Sequence, residues 1–473
     1  MDFELSDDHR LIQQTVRDFA RREVAPVAEE LDREKRFPYE IVRQLGELNL
    51  MGIPFPEEYG GGGGDSLAYA LAVEELTRVD SSVAITLCAH TSLGTQPIWL
   101  FGSEEQKREW MPRLCAGEVL GAFGLTEPEA GSDAGNTKTR ARRENGSWVI
   151  DGAKQFITNA GTDISGVVAI TARTEDDRIS NFLVPNGTPG YEAGQPYRKM
   201  GWNASDTRPL TFTDCRIPEE NLLGPPGAGF KQFLHVLDIG RIGVAAMGVG
   251  LAQGALDEAL AYAKERRAFG QPISKFQAIQ AKLADMATEI EAARLLVYKA
   301  ARLKDRGENF SLTAAQAKLK TGRLAVRAAE EAVQIHGGYG YIEEYPVCRF
   351  YRDAKILTIG EGTDEVQQMV IARALGAKGA AGPSRRSRIV PAALAGSRRR
   401  ATTSSSSFWT SASSRTDSSR DRRSRTVASA STSFMRLRRR RSSSVPAASM
   451  WARCASRAST TSSTPVPRAA SAR

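Results

Sequence analysis

Glu361 is the side chain in this sequence whose setting best suits proton transfer. It lies in the segment IGEGTDEVQ (residues 359–367), between Gly360 and Gly362 and shortly before Thr363. A carboxylate on a glycine-flanked turn is free to enter a cavity, where it can act as a general base. Thr363 is expected to cap a helix that begins directly after it.

Two other segments are suited to hold a flat or anionic ligand. GLTEPEAGSDAG (124–135) is rich in Gly, Ser and Thr, so its backbone N–H groups and hydroxyls can bind an anion or the edge of a heterocycle. QFITNAG (155–161) places the ring of Phe156 and the hydroxyl of Thr158 at the end of a predicted strand. Phe156 can flank a flat ring, although an aromatic side chain in a strand is more often part of the core.

Two later segments combine glycine with basic or aromatic residues. ERRAFGQPISKFQAIQ (265–280) predicts a basic helix end, a turn at 270–272 and a new amphipathic helix. Arg266 or Arg267 could reach a phosphate there, and a solvated helix end is an equally good interpretation. In QIHGGYGY (334–341) the paired glycines let the backbone approach another group closely, whereas His336 is better explained as a structural histidine than as a base.

Two glycine-rich segments do not indicate a nucleotide site. GVGLAQG (248–254) has GxGxxxG spacing inside an Ala-rich helical pattern, without the preceding strand that a dinucleotide-binding turn requires. YGGGGGDS (59–66) lacks the Lys-Ser/Thr pair of a P-loop, and we interpret it as a flexible loop.

The elements that must position these residues follow the order helical, β, helical. Residues 1–118 have helical periodicity that begins after a capping Ser6. Residues 119–232 contain short Val/Ile/Thr/Phe runs separated by turn residues, and residues 233–378 return to long Ala-rich helical patterns. We therefore predict an α+β multidomain fold, with an N-terminal helical domain, a central β barrel or sandwich and a C-terminal helical bundle.

Residues 379–473 differ from the rest of the chain in composition. The whole chain has 64 basic and 55 acidic residues, a net charge of +9. Residues 381–473 contain 20 Arg, 25 Ser, no Lys, no Glu and two Asp, a net charge of +18, which leaves residues 1–380 with −9. We predict a disordered basic tail, because such a segment buries too little apolar surface to offset its chain entropy. It could be an arm that binds nucleic acid, but its composition favours an extension under little selection, or a reading-frame artefact.

Cysteine usage and the N-terminus indicate a reducing compartment. The five cysteines are an odd number at wide spacing, so we expect neither a disulfide framework nor a metal site. The acidic start MDFELSDDHR does not resemble a signal peptide, and no uncharged apolar run reaches 18 residues. The sequence predicts a cytoplasmic protein that does not contact membranes.

Five of these segments occur in the order found in the acyl-CoA dehydrogenase family. The chain resembles that family over about residues 3–378. They are LTEPEAGSDAG, FITNA, ERRAFG with FQAIQ, QIHGGYGY and RDAKILTIGEGTDEVQ. The resemblance implies an N-terminal helical domain, a central β domain and a C-terminal four-helix domain, with one FAD per subunit of a homotetramer. It is greatest to short-chain and branched-short-chain members, which act in fatty acid metabolism and branched-chain amino acid catabolism.

The resemblance implies contacts to the flavin ring for five residues. Leu125 and Thr126 would bind the ring edge. Phe156, Ile157 and Thr158 would cover one face, with Thr158 hydrogen-bonding near nitrogen-5.

Other residues resemble those that bind the rest of FAD or the substrate. The residues implied for FAD held from a neighbouring subunit are Arg266, Phe269, Gln277, Gln334, Ile335, Gly337 and Gly338. Those implied for the adenosine-diphosphate portion are Thr363 and Glu365. Those implied for the CoA channel and the thioester are Asp238, Arg241, Gly362 and Ser132, the last also near the FAD pyrophosphate.

Glu361 occupies the position of the family's usual catalytic base. It would take the α-proton while the β-hydrogen leaves as hydride to the flavin, so that the product is a trans-2-enoyl-CoA and the electrons pass to an electron-transferring flavoprotein. A thioester α-proton is weakly acidic, so the base must be desolvated and the enolate stabilised by donors, which in the family are a flavin ribityl hydroxyl and the Glu backbone N–H. Some branched-chain members place the Glu on the helix equivalent to 238–241; Gly240 stands there in this chain, so no second base competes.

Gly360 departs from many straight-chain members, which have Tyr before the base, and it predicts a wider or branched acyl group. Two other functions remain open from the sequence. One is an acyl-CoA oxidase or nitroalkane oxidase on the same fold. The other is a DNA-associated flavoprotein that uses the basic tail, the one part of the chain for which nucleic-acid binding is considered.

Overall fold

The computed structural model describes residues 4–377 of the 473-residue chain. The segment 379–473, for which the sequence predicts disorder, lies outside the described residues.

The N-terminal part of the described chain is helical, as predicted. Ser6 caps the first helix by accepting a hydrogen bond from the His9 backbone N–H, and Ile12, Val16 and Phe19 bury one face of that helix. A π-helical turn, His90–Thr95, separates the fifth helix from the sixth. The helices are α1 (Asp7–Phe19), α2 (Ala28–Glu34), α3 (Tyr39–Glu47), α4 (Ser66–Thr77), α5 (Ser81–Ala89), α6 (Gln96–Phe101) and α7 (Glu104–Cys115).

The predicted β region forms one connected sheet. Its strands are β1 (Leu120–Gly124), β2 (Arg140–Glu144), β3 (Ser147–Thr158), β4 (Ser165–Arg173), β5 (Ile179–Pro185), β6 (Tyr191–Ala193), β7 (Thr207–Pro218) and β8 (Leu222–Leu223). The order is β6-β7-β3-β2-β4-β5-β8, and β1 pairs in parallel with β4. The antiparallel register of β3 with β7 shifts between Lys154 and Ile157. Such an irregularity re-aims a side chain, and Phe156 lies inside it.

The C-terminal part is a helical bundle. Its elements are α8 (Gly229–Glu265), a hairpin of β9 (Arg267–Ala268) and β10 (Gln271–Pro272), and then α9 (Gln277–Asp305), α10 (Ser311–His336), α11 (Pro346–Ala354) and α12 (Asp364–Ala374). α8 packs against α4, α9 and α10. GVGLAQG lies wholly within α8, so its rejection as a dinucleotide-binding turn is confirmed.

α8 is the central helix of the structure. By length and composition it could span a membrane, but 78% of its most apolar stretch is buried inside the structure. One apolar cluster includes residues of α1, α4 and α5 together with residues of α8, α9 and α10. The two helical parts therefore share a core, and α8 brings residues distant in sequence against the turn that carries Glu361.

Candidate active site

Glu361 lies in the turn before α12, held in a backbone conformation unusual for its type. Its φ is +52°, and the following Gly362 has a φ of +92°. A residue with a side chain occupies the left-handed region at a cost, and such residues cluster at functional sites. The Thr363 side chain accepts a hydrogen bond from the Val366 backbone N–H at 3.4 Å, so the predicted helix cap is confirmed.

The carboxylate of Glu361 points against the middle of α8. Its Oε2 atom is buried and has no hydrogen-bond partner among the described residues. A Cβ atom built on Gly240 would lie far inside van der Waals contact of this oxygen, and 3.0 Å from Leu93 Cδ2. Glycine at position 240 therefore provides the space that the carboxylate occupies.

Burial shifts the protonation of this carboxylate towards its neutral form, and nearby positive charges oppose that shift. Burial raises the pKa of Glu361 to about 7, and the positive charges of Lys318 and Arg241 partly oppose that rise. A carboxyl whose pKa lies near the operating pH is well matched to general base catalysis.

Tyr69 and Cys88 lie close enough to Glu361 for its charge to act on them. Burial, and secondarily the Glu361 carboxylate, raises the pKa of the Cys88 thiol to about 12; the pKa of Tyr69 is raised by burial and, to a smaller extent, by the same carboxylate. The Tyr69 hydroxyl donates to the Cys88 carbonyl oxygen at 3.2 Å, and so does the Ser92 hydroxyl, at 2.7 Å. Both titratable groups are neutral, so neither adds a charge beside the carboxylate.

Asp238 and Arg241 form an ion pair one turn apart on α8. Arg241 is buried, and its Nε atom has no hydrogen-bond partner among residues 4–377. The positive charge of Arg241 acts on Glu361, so the structure places this arginine close to the Glu361 carboxylate.

Thr126 and Phe156 form a second group near the C-terminal end of β3, and Leu125 beside them is buried in an apolar cluster. The Gln155 backbone N–H donates to the Thr126 carbonyl oxygen at 2.8 Å, which joins the 124–135 segment to β3. The buried Lys154 Nζ donates to Glu127 Oε1 at 2.7 Å and anchors the same segment. The Phe156 side chain is 65% exposed, at a φ of +61°, and its ring centroid lies 5.3 Å from that of Tyr197.

Other residues assigned to this group by sequence differ in exposure. Ile157 is buried in the core of the sheet, because neighbouring residues of a strand point to opposite faces. Its side chain therefore packs inward, so a contact of Ile157 with a ligand at this face would be made by its backbone. Thr158 is partly buried, and Ser132 is exposed in the loop after β1.

Arg266, Gly337 and Gly338 line a third region, a cavity of about 500 Å³. Arg266 is exposed and forms no ion pair within residues 4–377, although its guanidinium lies 5.5 Å from the centroid of the Tyr339 ring. A Cβ atom on Gly337 or Gly338 would meet nothing within 4 Å. Ile335 also lines this cavity but is buried, and it packs in the shared helical core.

His336, beside this cavity, has a structural role, as the sequence indicates. Its Nδ1 lies 2.8 Å from the Ala332 carbonyl oxygen, and its ring stacks on Tyr262 with centroids 4.2 Å apart. Burial lowers the pKa of His336, which keeps the ring neutral.

The remaining predicted residues lie on the surface and do not join the Glu361 group. Phe269 is 94% exposed at the tip of the β9–β10 hairpin, where it and Gly270 both have positive φ. The other exposed residues are Gln277 at the start of α9, Gln334 near the end of α10 and Glu365 in α12.

Sequence reasoning missed two buried residues that hold the Glu361 turn. Lys318 Nζ donates to the Gly362 carbonyl oxygen at 2.7 Å. Gln367 Nε2 donates to the carbonyl oxygens of Glu361 and Gly362, at 3.2 and 3.0 Å. Lys318 could have been found from its spacing, since it shares a helical stripe with buried Ala314, Thr321 and Ala325.

Family models match three consecutive parts of the chain. They describe the acyl-CoA dehydrogenase N-terminal domain over residues 6–118, its middle domain over residues 122–215 and its C-terminal domain over residues 227–376.

Curated relatives match nearly over their full length. The chain is 52% identical to a probable acyl-CoA dehydrogenase, YngJ, of Bacillus subtilis, over 79% of this chain and 100% of that protein. It is 48% identical to the mitochondrial short-chain specific acyl-CoA dehydrogenase of Mus musculus, over 78% of this chain and 90% of that protein.

Solved structures are similar over the same part of the chain. The butyryl-CoA dehydrogenase of Megasphaera elsdenii is 47% identical with a TM-score of 0.77, over 79% of this chain and 100% of that chain. A chain from work on the electron transferring flavoprotein of Acidaminococcus fermentans is 46% identical with a TM-score of 0.78, over 79% and 99%. An acyl-CoA dehydrogenase complexed with FAD, from Bacillus anthracis, is 36% identical with a TM-score of 0.75, over 79% and 67%.

Proposed function

Because the chain belongs to the acyl-CoA dehydrogenase family, we propose that Glu361 is the base that removes the α-proton of a short acyl-CoA thioester. The enzyme is an FAD-dependent oxidoreductase that converts the thioester to a trans-2-enoyl-CoA. The observation that carries the assignment of the base is the buried, unpartnered Oε2 of Glu361, on a left-handed turn and with a pKa near 7.

The described residues fit FAD at two places. Phe156 presents an exposed ring, turned out of the sheet by the register shift, against which a flat heterocycle can pack. Arg266 and the open backbone of Gly337 and Gly338 line a cavity that suits a phosphate. When bound, FAD supplies the acceptor for the hydride that leaves the substrate β-carbon.

We assign the other cofactor contacts from the family to which the chain belongs. Leu125, Thr126 and Thr158 join Phe156 at the ring. Ser132, Phe269, Gln277, Gln334, Ile335, Thr363 and Glu365 bind the remainder of FAD, some of them across a subunit boundary.

The oxygen of Glu361 that would accept the proton is not occupied by a hydrogen bond from the described residues. Oε2 has no protein donor within the described residues, so the substrate proton meets a free acceptor. The backbone N–H of Glu361 also donates to no acceptor among residues 4–377, which leaves it available for the thioester oxygen as negative charge develops. Lys318 and Arg241 favour the ionised base by their charge.

We propose a short acyl group, straight or singly branched, as the substrate. The relatives named above as short-chain specific and butyryl-CoA dehydrogenases support a short chain. Leu93 lies against α8 at Gly240, and Tyr69 and Cys88 lie against it one turn further along at Gly243, which limits the space near Glu361. A Cβ on Gly360 would make only an ordinary contact, 3.5 Å from the Ile356 carbonyl oxygen, so the space before the base is open to a branch.

Further assignments rest on the family and on exposed groups. Asp238, Arg241, Gly362 and Ser132 contact the CoA portion. An electron-transferring flavoprotein is the electron acceptor, and the exposed Phe269 and Tyr341 pack against another subunit of a homotetramer. The domains are 1–118, 119–232 and 233–378, and the enzyme is cytoplasmic. The oxidase alternative is not favoured, since the relatives named above are dehydrogenases.

An anaerobic panel of acyl-CoA thioesters of graded length and branching tests the substrate. We expect butyryl-CoA or a singly branched analogue to bleach the oxidised flavin fastest. A long straight-chain thioester should bleach it at least about tenfold more slowly, since each misplaced methylene costs that much or more. Fastest bleaching by the long thioester would contradict a short-chain site.

Replacing Arg266 by Ala should weaken FAD retention about tenfold or more, because a charge-assisted hydrogen bond to phosphate is lost. Flavin absorbance after dilution and gel filtration measures the retained fraction. Arg306→Ala is the matched control, as Arg306 is an exposed arginine at the end of α9. Equal retention by the two variants would show that Arg266 does not bind the cofactor.

A further inference from the structure

Lys318 is a lysine in the core of the helical bundle. Its side chain is fully buried in α10, and its Nζ donates to the Gly362 carbonyl oxygen at 2.7 Å. A buried ammonium is retained only where its charge or its hydrogen bond is needed, because taking it out of water is costly. Its one hydrogen-bond acceptor within residues 4–377 belongs to the residue directly after the proposed base.

Gln367 of α12 is a second hydrogen-bond donor to the same turn. It is fully buried in the first turns of α12, and its Nε2 donates to the carbonyl oxygens of both Glu361 and Gly362. Lys318 and Gln367 together satisfy the carbonyl groups of the two residues with positive φ, Glu361 and Gly362. A strained backbone conformation persists only when its surroundings hold it in place, and these donors do so.

Lys318 also acts on the carboxylate by charge. The titratable groups that face Glu361 come from several elements: Lys318 of α10, Arg241 of α8, Tyr69 of α4 and Cys88 of α5, with Asp364 following in α12. Tyr69 and Cys88 are neutral, and Asp364 pairs with Arg323 at 2.8 Å. Lys318 and Arg241 are therefore the two charges that favour ionised Glu361.

We propose that Lys318 is a positioning residue for the base, acting with Gln367 to hold the Glu361 turn and supplying a positive charge that favours the ionised carboxylate. The proposal rests on the proposed role of Glu361 as the base. The proposal explains why a charged side chain occupies a core position of α10, where packing alone would favour an apolar residue.

Lys318→Met removes the charge and the hydrogen bond and keeps an unbranched side chain of similar length. We expect flavin reduction by butyryl-CoA to slow by about 10–100-fold, because the base is no longer held in place. Glu361 must be ionised to accept a proton, so the wild-type rate rises with pH through about 7. Removing the positive charge raises the pKa of Glu361 further, so this rise should move to higher pH by about one unit or more.

Two other variants separate the parts of the proposal. Gln367→Leu removes the other donor without a change of charge, and we expect a slower rate with an unshifted pH profile. Lys320→Met is the matched control, since Lys320 lies two residues along α10 and pairs with Glu289 at the surface. FAD content and the thermal midpoint of each holoenzyme show whether the variant is folded.

An unchanged rate and pH profile in folded Lys318→Met would overturn the proposal, as would a loss of rate that is equal at every pH. If Lys318→Met does not fold, a wild-type rate in Gln367→Leu would overturn the holding role. Failure of the base assignment is distinguishable, because Glu361→Gln would then still bleach the flavin. A slowed Lys318→Met beside an inactive Glu361→Gln supports both.

Discussion

Glu361→Gln is expected to bind FAD normally and to lose flavin bleaching by acyl-CoA, with a reduction rate at least about 10³-fold below that of the wild type. Glutamine has nearly the same shape, so the turn and its cap at Thr363 should persist. An amide cannot accept the α-proton to form a stable acid, so the proton transfer loses its acceptor. Anaerobic stopped-flow measurement of oxidised flavin absorbance after mixing with butyryl-CoA tests this expectation.

Glu58→Gln is the control for this variant, because Glu58 is an exposed carboxylate near the start of the chain and takes no part in the proposed site. It should bleach at the wild-type rate. Bleaching by Glu361→Gln at a comparable rate would exclude position 361 as the base. Loss of FAD from Glu361→Gln would instead indicate a structural role for the carboxylate.

Gly240→Ala is expected to reduce flavin reduction about 100-fold while the protein stays folded. The added methyl group would occupy the space of Glu361 Oε2 and would press on Leu93. The carboxylate must then move by roughly the size of a methyl group, and a displacement of about 1 Å costs about 10²-fold in rate. Because Ala is favoured over Gly in a helix by about 1 kcal/mol, the change itself does not weaken α8.

Gly254→Ala provides a matched control on the same helix. A Cβ atom there would press on the Arg78 backbone carbonyl oxygen, about four helical turns along α8 from the Gly240 position that faces Glu361. We expect it to lower the thermal midpoint and to leave the reduction rate of folded enzyme near that of the wild type. If both variants lose rate equally, the effect at position 240 is a general displacement of α8 and not a displacement of the base.

The order of the elements could be predicted from local sequence because local patterns encode it. Ser6 and Thr363 were recognisable as caps from residue type and position, and both cap helices in the structure. The alternating and turn-rich pattern after residue 119 indicated strands, since a strand's two faces differ with period two. Glu361 was recognisable as a candidate base from its flanking glycines and from the family resemblance.

The outward turn of Phe156 and the inward packing of Ile157 required the three-dimensional structure. Both depend on the register shift of β3 against β7, which is set by pairing between segments about 50 residues apart. From sequence, the two residues resembled neighbours with one common role. A hydrogen-bonded register is a property of two strands, so neither strand predicts it alone.

The residues proposed to carry the chemistry of this protein can be identified from short stretches of sequence. The environment that tunes them is formed by the whole fold. Residue types and spacing sufficed for the carboxylate, its turn, the helical and β regions and the family, because each of these is specified within a few dozen neighbouring residues. The burial of Glu361, the space at Gly240 and the support from Lys318 and Gln367 arise where α8, α10 and α12 meet. Desolvation and charge act through space, so the pKa of that carboxyl depends on groups more than 40 residues away along the chain.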